Sequence, residues 1–183
     1  MKFKFVILLA FSFLFFSSAF AQSKFIESVK AESSLKYKMT HPMHEFEAES
    51  KNGYCKIEYI ADKKEVKRVF VQVDVISFNS GNSNRDSHAM ETVESITYPY
   101  AKFSSTAIEQ SSDNLKITGK MTFHGVTNEI TFNLKYSIDQ DKLVVKGNFD
   151  LSLTAFKIER PSLLMVPVAD DLKFTIVESF NLK

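Results

Sequence analysis

The dominant period along the chain is two. Over residues 65–75, Val69, Val71, Val73 and Val75 fall on one face and Arg68, Gln72 and Asp74 on the other, with Phe70 out of phase. Successive side chains of a strand point to opposite faces, so this alternation predicts a long strand with one buried and one solvated side. Residues 115–123 repeat it with the odd positions inward. His124-Gly125 reads as a turn, after which Ile130, Phe132, Leu134, Tyr136 and Ile138 mark the inner face of the next strand. Asp139-Gln140-Asp141 turns the chain into another, where Leu143, Val145, Phe149, Leu151 and Leu153 alternate. The last strand carries Leu172, Phe174, Ile176, Phe180 and Leu182 at even positions, interrupted by Glu178.

Earlier strands are shorter: Leu35-x-Tyr37-x-Met39, Phe46-x-Ala48 and Cys55-x-Ile57-x-Tyr59. Asn52-Gly53 predicts a tight hairpin, because both residues tolerate positive φ. With residues 101–108 these make eight or nine strands, and no long helical period separates them. Short connections without intervening helices predict an antiparallel meander. Several strands exceed the usual length of about five or six residues, and closing such a sheet removes its exposed edges. The expected fold is therefore all-β: an antiparallel β-barrel of about eight strands with one short helix. The interior of a barrel that size is either filled by side chains or holds one small ligand. Gly119 and Gly147 fall on inward positions, where they serve as bends or leave room for a ligand.

The N-terminus departs from this pattern. Lys2 and Lys4 precede an apolar run over residues 5–16, and Ala19-Phe20-Ala21 closes it with small residues. These features predict a secretory signal peptide over residues 1–21, cleaved after Ala21, and a mature domain over residues 22–183. The apolar run is short of the roughly 20 residues that a transmembrane helix needs. Without Lys2 and Lys4 the near-balance of 23 basic and 22 acidic residues becomes one net negative charge. Such a balance carries no footprint for nucleic acid and no polybasic membrane arm. Cys55 is the only cysteine, so no intrachain disulfide forms. It shares a face with Ile57 and Tyr59 and reads as a buried small hydrophobe.

One stretch, residues 77–91, replaces alternation with a dense polar cluster. Ser83 with Asp86 three residues later reads as a helix N-cap. Ala89, Met90 and Val93 then form an apolar stripe for a helix that plugs one barrel end. Arg85, Asp86 and His88 invite a catalytic reading with His88 as base, but residues at i and i+2 of a helix point apart. No nucleophile stands in a recognisable elbow. Anchoring or contact with a ligand head group is the expected role of Arg85 and His88. His41-Pro42-Met43-His44 offers half a metal site without a second spaced pair. Glu178 on an inward face needs a partner, with Arg85 and Arg160 as candidates; the alternative is a register slip that turns Glu178 to water.

Three ordered motifs carry a resemblance. Residues 77–88 end a strand in a Gly-Asn loop followed by Arg85-Asp86-x-His88. Tyr98-Pro99 precedes Phe103-Ser104-Ser105. Thr118-Gly119-Lys120-Met121-Thr122-Phe123-His124-Gly125-Val126-Thr127 forms a hairpin signature. Together they resemble the YceI-like, polyisoprenoid- or lipid-binding family over nearly all of the mature chain. The resemblance implies a lipocalin-like barrel exported to the periplasm, no enzyme activity and no cofactor. It also implies an elongated apolar cavity for an isoprenoid or other long-chain amphiphile. On that basis Val71, Val73, Phe123, Phe132, Phe149 and Phe174 line the tunnel, with Arg85 and His88 at one end. A second copy of the chain, as a homodimer, is the other candidate partner. The rival expectations are a hydrolase or metal-binding protein built on the Arg-Asp-x-His cluster, and a structural protein with a closed core.

Overall fold

The computed structural model describes residues 22–183, so the segment read as a signal peptide lies outside the described residues. Ten strands form one antiparallel sheet, in the order β1-β4-β5-β6-β7-β8-β9-β12-β2-β3. They are β1 (Ser23–Glu27), β2 (Ser34–His41), β3 (His44–Ser50), β4 (Gly53–Ile60), β5 (Glu65–Asp74), β6 (Tyr100–Gln110), β7 (Asn114–Phe123), β8 (Val126–Asp139), β9 (Lys142–Ser152) and β12 (Asp171–Asn181). A two-stranded hairpin, β10 (Ser162–Leu163) with β11 (Val166–Pro167), stands apart from the sheet. A single α-helix among the described residues, α1 (Ser83–Thr92), follows the polar stretch. The expected count of eight or nine falls short by β1, whose five residues alternate around a half-exposed Phe25 and carry little apolar signal.

The sheet curls strongly into a half-barrel, and short bridges join its open sides. At one end Val29 N–H donates to Ser179 O at 2.7 Å and Ser28 N–H donates to Cys55 O at 2.9 Å. This ties the chain after β1 to both β12 and β4. At the other, Glu49 of the edge strand β3 exchanges two N–H···O bonds of 3.0 Å with Asn79. The polar stretch after β5 thus supplies the missing partner of an edge, which would otherwise expose unpaired groups.

Two irregularities explain where the simple parity fails. Glu58 pairs with Arg68 but Tyr59 pairs with Val66, so Lys67 is a bulge residue and the phase of β5 flips there. Val66 and Val73 are consequently both buried. A second shift lies between Ser105 and Ala107 in β6. The Asn52-Gly53 hairpin is not formed. β3 and β4 are not neighbours in the sheet, and Gly53 is extended in the ladder opposite Val73. The hairpin of this region is instead Pro42-Met43, with His41 opposite His44. His124 and Gly125 do make a two-residue turn, with φ of 48° and 71° joining Phe123 to Val126. Positive φ at both central residues is the requirement of a type I′ hairpin.

The interior divides into two halves. One is solid: Cys55, Ile57, Tyr59, Leu115, Ile117, Leu134, Leu143 and Phe180 pack together, each at most 4% exposed. Cys55 is a buried free thiol, and burial pushes its pKa well above the ordinary value. Gly119 and Gly147 belong to this packing and are not empty space. A Cβ on Gly119 would sit 2.5 Å from the Phe103 ring and 2.4 Å from Ser104 O, and one on Gly147 2.8 Å from Leu134. The other half is hollow.

Candidate functional site

The hollow half is a cavity of about 680 Å3 between the sheet, α1 and the chain around β10 and β11. Its belly is a belt of aromatic rings, one per strand. Phe132 of β8 stacks on Phe149 of β9 at 4.9 Å, and Phe149 on Phe174 of β12 at 5.1 Å and 8°. These spacings match the distance between neighbouring strands, about 4.7–4.9 Å, because Phe149 and Phe174 are direct cross-strand partners. Tyr37, paired with Phe174, continues the belt to Phe46 and Phe78. Val71, Val73, Phe123, Phe132, Phe149, Phe174, Arg85 and His88 all line this cavity. Pattern reasoning did not single out Tyr37, Met39, Phe46, Phe78 or Leu172, which also line it. For Tyr37, Met39, Phe46 and Leu172 the signal is the inward parity of β2, β3 and β12, read above only as strand evidence; Phe78 lies outside any strand and carries none.

The helix over the cavity is built by local hydrogen bonds. Its N-cap is Asn82, one residue before the expected Ser83: the Asn82 side chain accepts Arg85 N–H at 3.1 Å. Asp86 is not the partner of that cap. It accepts Ser80 N–H at 3.1 Å and Ser80 O–H at 2.5 Å. Arg85 Nε donates to Ser80 Oγ at 2.9 Å and Nη2 to Ser80 O at 3.0 Å. One serine therefore locks both charges, and the Arg85 guanidinium lies 4.6 Å from the Phe46 ring centre, a cation–π arrangement at the cavity rim. Burial, then the Asp86 charge, pushes the neighbouring Tyr37 hydroxyl up to about 12, with Arg85 acting against it. Tyr37 is a neutral hydroxyl at the rim. Met90 and Val93 pack onto the core, and Ala89 faces the cavity.

This geometry does not assemble a catalytic pair. Asp86 is spent on Ser80, whereas His88 is 71% exposed and its ring nitrogen lies 3.6 Å from Glu91, beyond hydrogen-bond reach. The histidine corner is not half a metal site either. His41 is 3% exposed; its Nδ1 accepts Met43 N–H at 3.1 Å. Nε2 therefore carries the proton and donates to Val166 O at 2.9 Å, which leaves no lone pair for a ligand. Among the described residues no three His, Cys, Asp or Glu side chains converge as a metal site. His124 is tied elsewhere, to Phe156 O at 3.1 Å and Glu94 at 3.2 Å.

Glu178 keeps its register and points inward, 6% exposed, into a small crevice that it lines with Ser33, Ser50 and Lys51. Neither arginine reaches it: Arg85 is held by Ser80, and Arg160 by Val168 O. Among the described residues its Oε2 atom has no hydrogen-bond partner. Burial pushes the carboxyl up to about 7, against the opposing hydroxyls of Ser28 and Ser33.

Comparison with known proteins agrees with this architecture. A curated protein YceI of Escherichia coli is 33% identical over 70 residues, spanning 37% of this chain and 37% of the relative. Among solved structures, BcnA of Burkholderia cenocepacia superposes with a TM-score of 0.75 at 19% identity, covering 83% of this chain and 98% of that one. A polyisoprenoid binding domain from Saccharophagus degradans superposes with a TM-score of 0.65 at 12% identity, over 86% and 97% of the two chains. At such identities the structures speak for the fold: a lipocalin-like barrel. The YceI-like domain matches this sequence across residues 27–180, and the chain belongs to that family.

Proposed function

We propose that this protein is an exported carrier that sequesters one long-chain apolar molecule, an isoprenoid or similar amphiphile, in the hollow half of its barrel. The single observation that carries the reading is the cavity of about 680 Å3 walled by the aromatic belt. That volume lies within the range of roughly 300–1,000 Å3 typical of ligand pockets. Burial of apolar ligand surface at about 25 cal/mol per Å2 supplies the driving force. Val71, Val73, Phe123, Phe132, Phe149 and Phe174 would grip the chain, and Arg85, His88 and the Tyr37 hydroxyl would face a polar head at the rim. The relation to a polyisoprenoid binding domain supports this ligand class. Binding rather than catalysis is favoured by the same rim, where Asp86 is bonded to Ser80 and exposed His88 lies 3.6 Å from Glu91, beyond hydrogen-bond reach. Export rests on the N-terminal pattern, with the mature chain starting at Gln22. No helix of the described residues is long and apolar enough to cross a membrane.

The test is native mass spectrometry of the exported protein, followed by organic extraction and lipid analysis. A one-to-one adduct that extracts as an apolar long-chain molecule is expected, together with an N-terminus at Gln22. Protein that is ligand-free and fails to take up added isoprenoid would overturn the carrier reading.

A further inference from the structure

At the cavity rim the chain does something that soluble proteins avoid. Residues 161–168 read Pro-Ser-Leu-Leu-Met-Val-Pro-Val, without a single charge. They fold as the β10–β11 hairpin, with Leu163 opposite Val166. Leu164 and Met165 form the two-residue turn at φ of 51° and 65°. That turn ordinarily takes Asn-Gly, since left-handed φ is strained for large apolar side chains. Leu164 is nevertheless 75% exposed and Met165 98% exposed. The Pro42-Met43 turn stands beside this tip, because His41 joins Val166 at 2.9 Å, and Met43 is 64% exposed. Strain retained at an exposed apolar tip points to use.

We propose that this double-hairpin tip is a membrane-docking wedge, through which the apolar ligand passes between a lipid bilayer and the cavity. The inference rests on the carrier reading above. Three features favour a bilayer over a protein partner. The tip is a convex protrusion of flexible Leu and Met side chains, suited to a fluid apolar phase rather than to a fitted groove. Residues 161–168 carry no charged side chain, so no ion of this hairpin must be desolvated in the acyl region. It is also continuous with the cavity, since Pro161, Ser162 and Leu163 line both. A ligand leaving through this rim would stay on apolar surface. With about one net negative charge on the mature chain, docking depends on apolar insertion and not on anionic lipid.

The test uses vesicles of uncharged phosphatidylcholine and the full mature protein. The protein is expected to sediment with the vesicles equally at low and high salt. Its double variant Leu164→Asn/Met165→Gly installs the preferred turn and should fold at least as well. It should nevertheless lose about tenfold or more in partitioning. The chain contains no tryptophan, so Leu164→Trp provides a unique reporter whose emission should shift to the blue on vesicle addition. Both variants should bind a fluorescent farnesyl alcohol probe in vesicle-free buffer as the parent does.

Probe binding without vesicle sedimentation, or undiminished sedimentation of the double variant, would overturn the wedge while leaving the carrier reading intact. A blue shift driven by protein concentration alone would overturn it in favour of self-association through the tip. Failure of the parent to bind the probe would overturn the carrier reading, and the wedge with it.

Discussion

Replacing Glu178 by Gln probes a buried carboxyl whose Oε2 has no hydrogen-bond partner among the described residues. In the native barrel burial raises this group from an ordinary 4.5 to about 7. The folded state therefore holds the proton more tightly than the unfolded chain. The stability contributed by the protonated form is fully present below about pH 4.5 and is lost as pH rises through about 7. At ~1.4 kcal/mol per pH unit across that window, the loss approaches about 3 kcal/mol. Glutamine cannot ionise, so Glu178→Gln should match the parent near about pH 4 and exceed it by roughly 2–3 kcal/mol near about pH 8. The neighbouring Cys55 thiol is itself pushed up, by burial and then by the Glu178 charge, and Lys51 borders the same crevice. Urea unfolding of both proteins at several pH values gives the comparison directly. Parallel pH profiles for parent and variant would show that Glu178 is already ionised and solvated in the folded state, and the reasoning would fail.

Other consequences follow from particular contacts. Gly119→Ala drives a Cβ into Ser104 O and the Phe103 ring and should cost about 1–3 kcal/mol in chemical denaturation. Arg85→Ala removes two hydrogen bonds to Ser80 and should lower stability by about 1–3 kcal/mol, read as a drop in Tm. His88→Ala, at an exposed position, should stay within about 0.5 kcal/mol of the parent in the same assay and change ligand uptake only. Cys55 should resist iodoacetamide until the barrel opens, with a labelling rate that follows unfolding as urea is raised.

Much of the barrel was legible because a period of two survives translation into an inward row almost unchanged, as in Leu172, Phe174, Ile176 and Phe180. The failures are places where neighbours in sequence are not neighbours in space. Asn52-Gly53 has the chemistry of a hairpin turn, but the chain there crosses from one edge of the sheet toward the other. The true turn, Pro42-Met43, was masked by flanking histidines that suggested a metal. Bulges at Lys67 and after Ser105 shift parity through pairing geometry that no single strand encodes. The inward glycines could not be assigned, because their role lies in the Phe103 and Leu134 side chains opposite them. At the rim, the motif residues Arg85 and His88 stood out by composition. Tyr37 did not, because its position beside Arg85 depends on β2 joining β12 from far away in sequence.

The carrier proposal requires the hollow half of the barrel to take an apolar chain. Calorimetric titration of the ligand-stripped protein with a solubilised polyisoprenoid alcohol at several temperatures tests it most directly. A carrier should saturate at one ligand per chain, show a negative heat-capacity change from apolar burial, and bind markedly more weakly when Ala101→Leu narrows the cavity that Ala101 lines. Absence of saturable binding, or binding unaltered by Ala101→Leu in a folded protein, would contradict it.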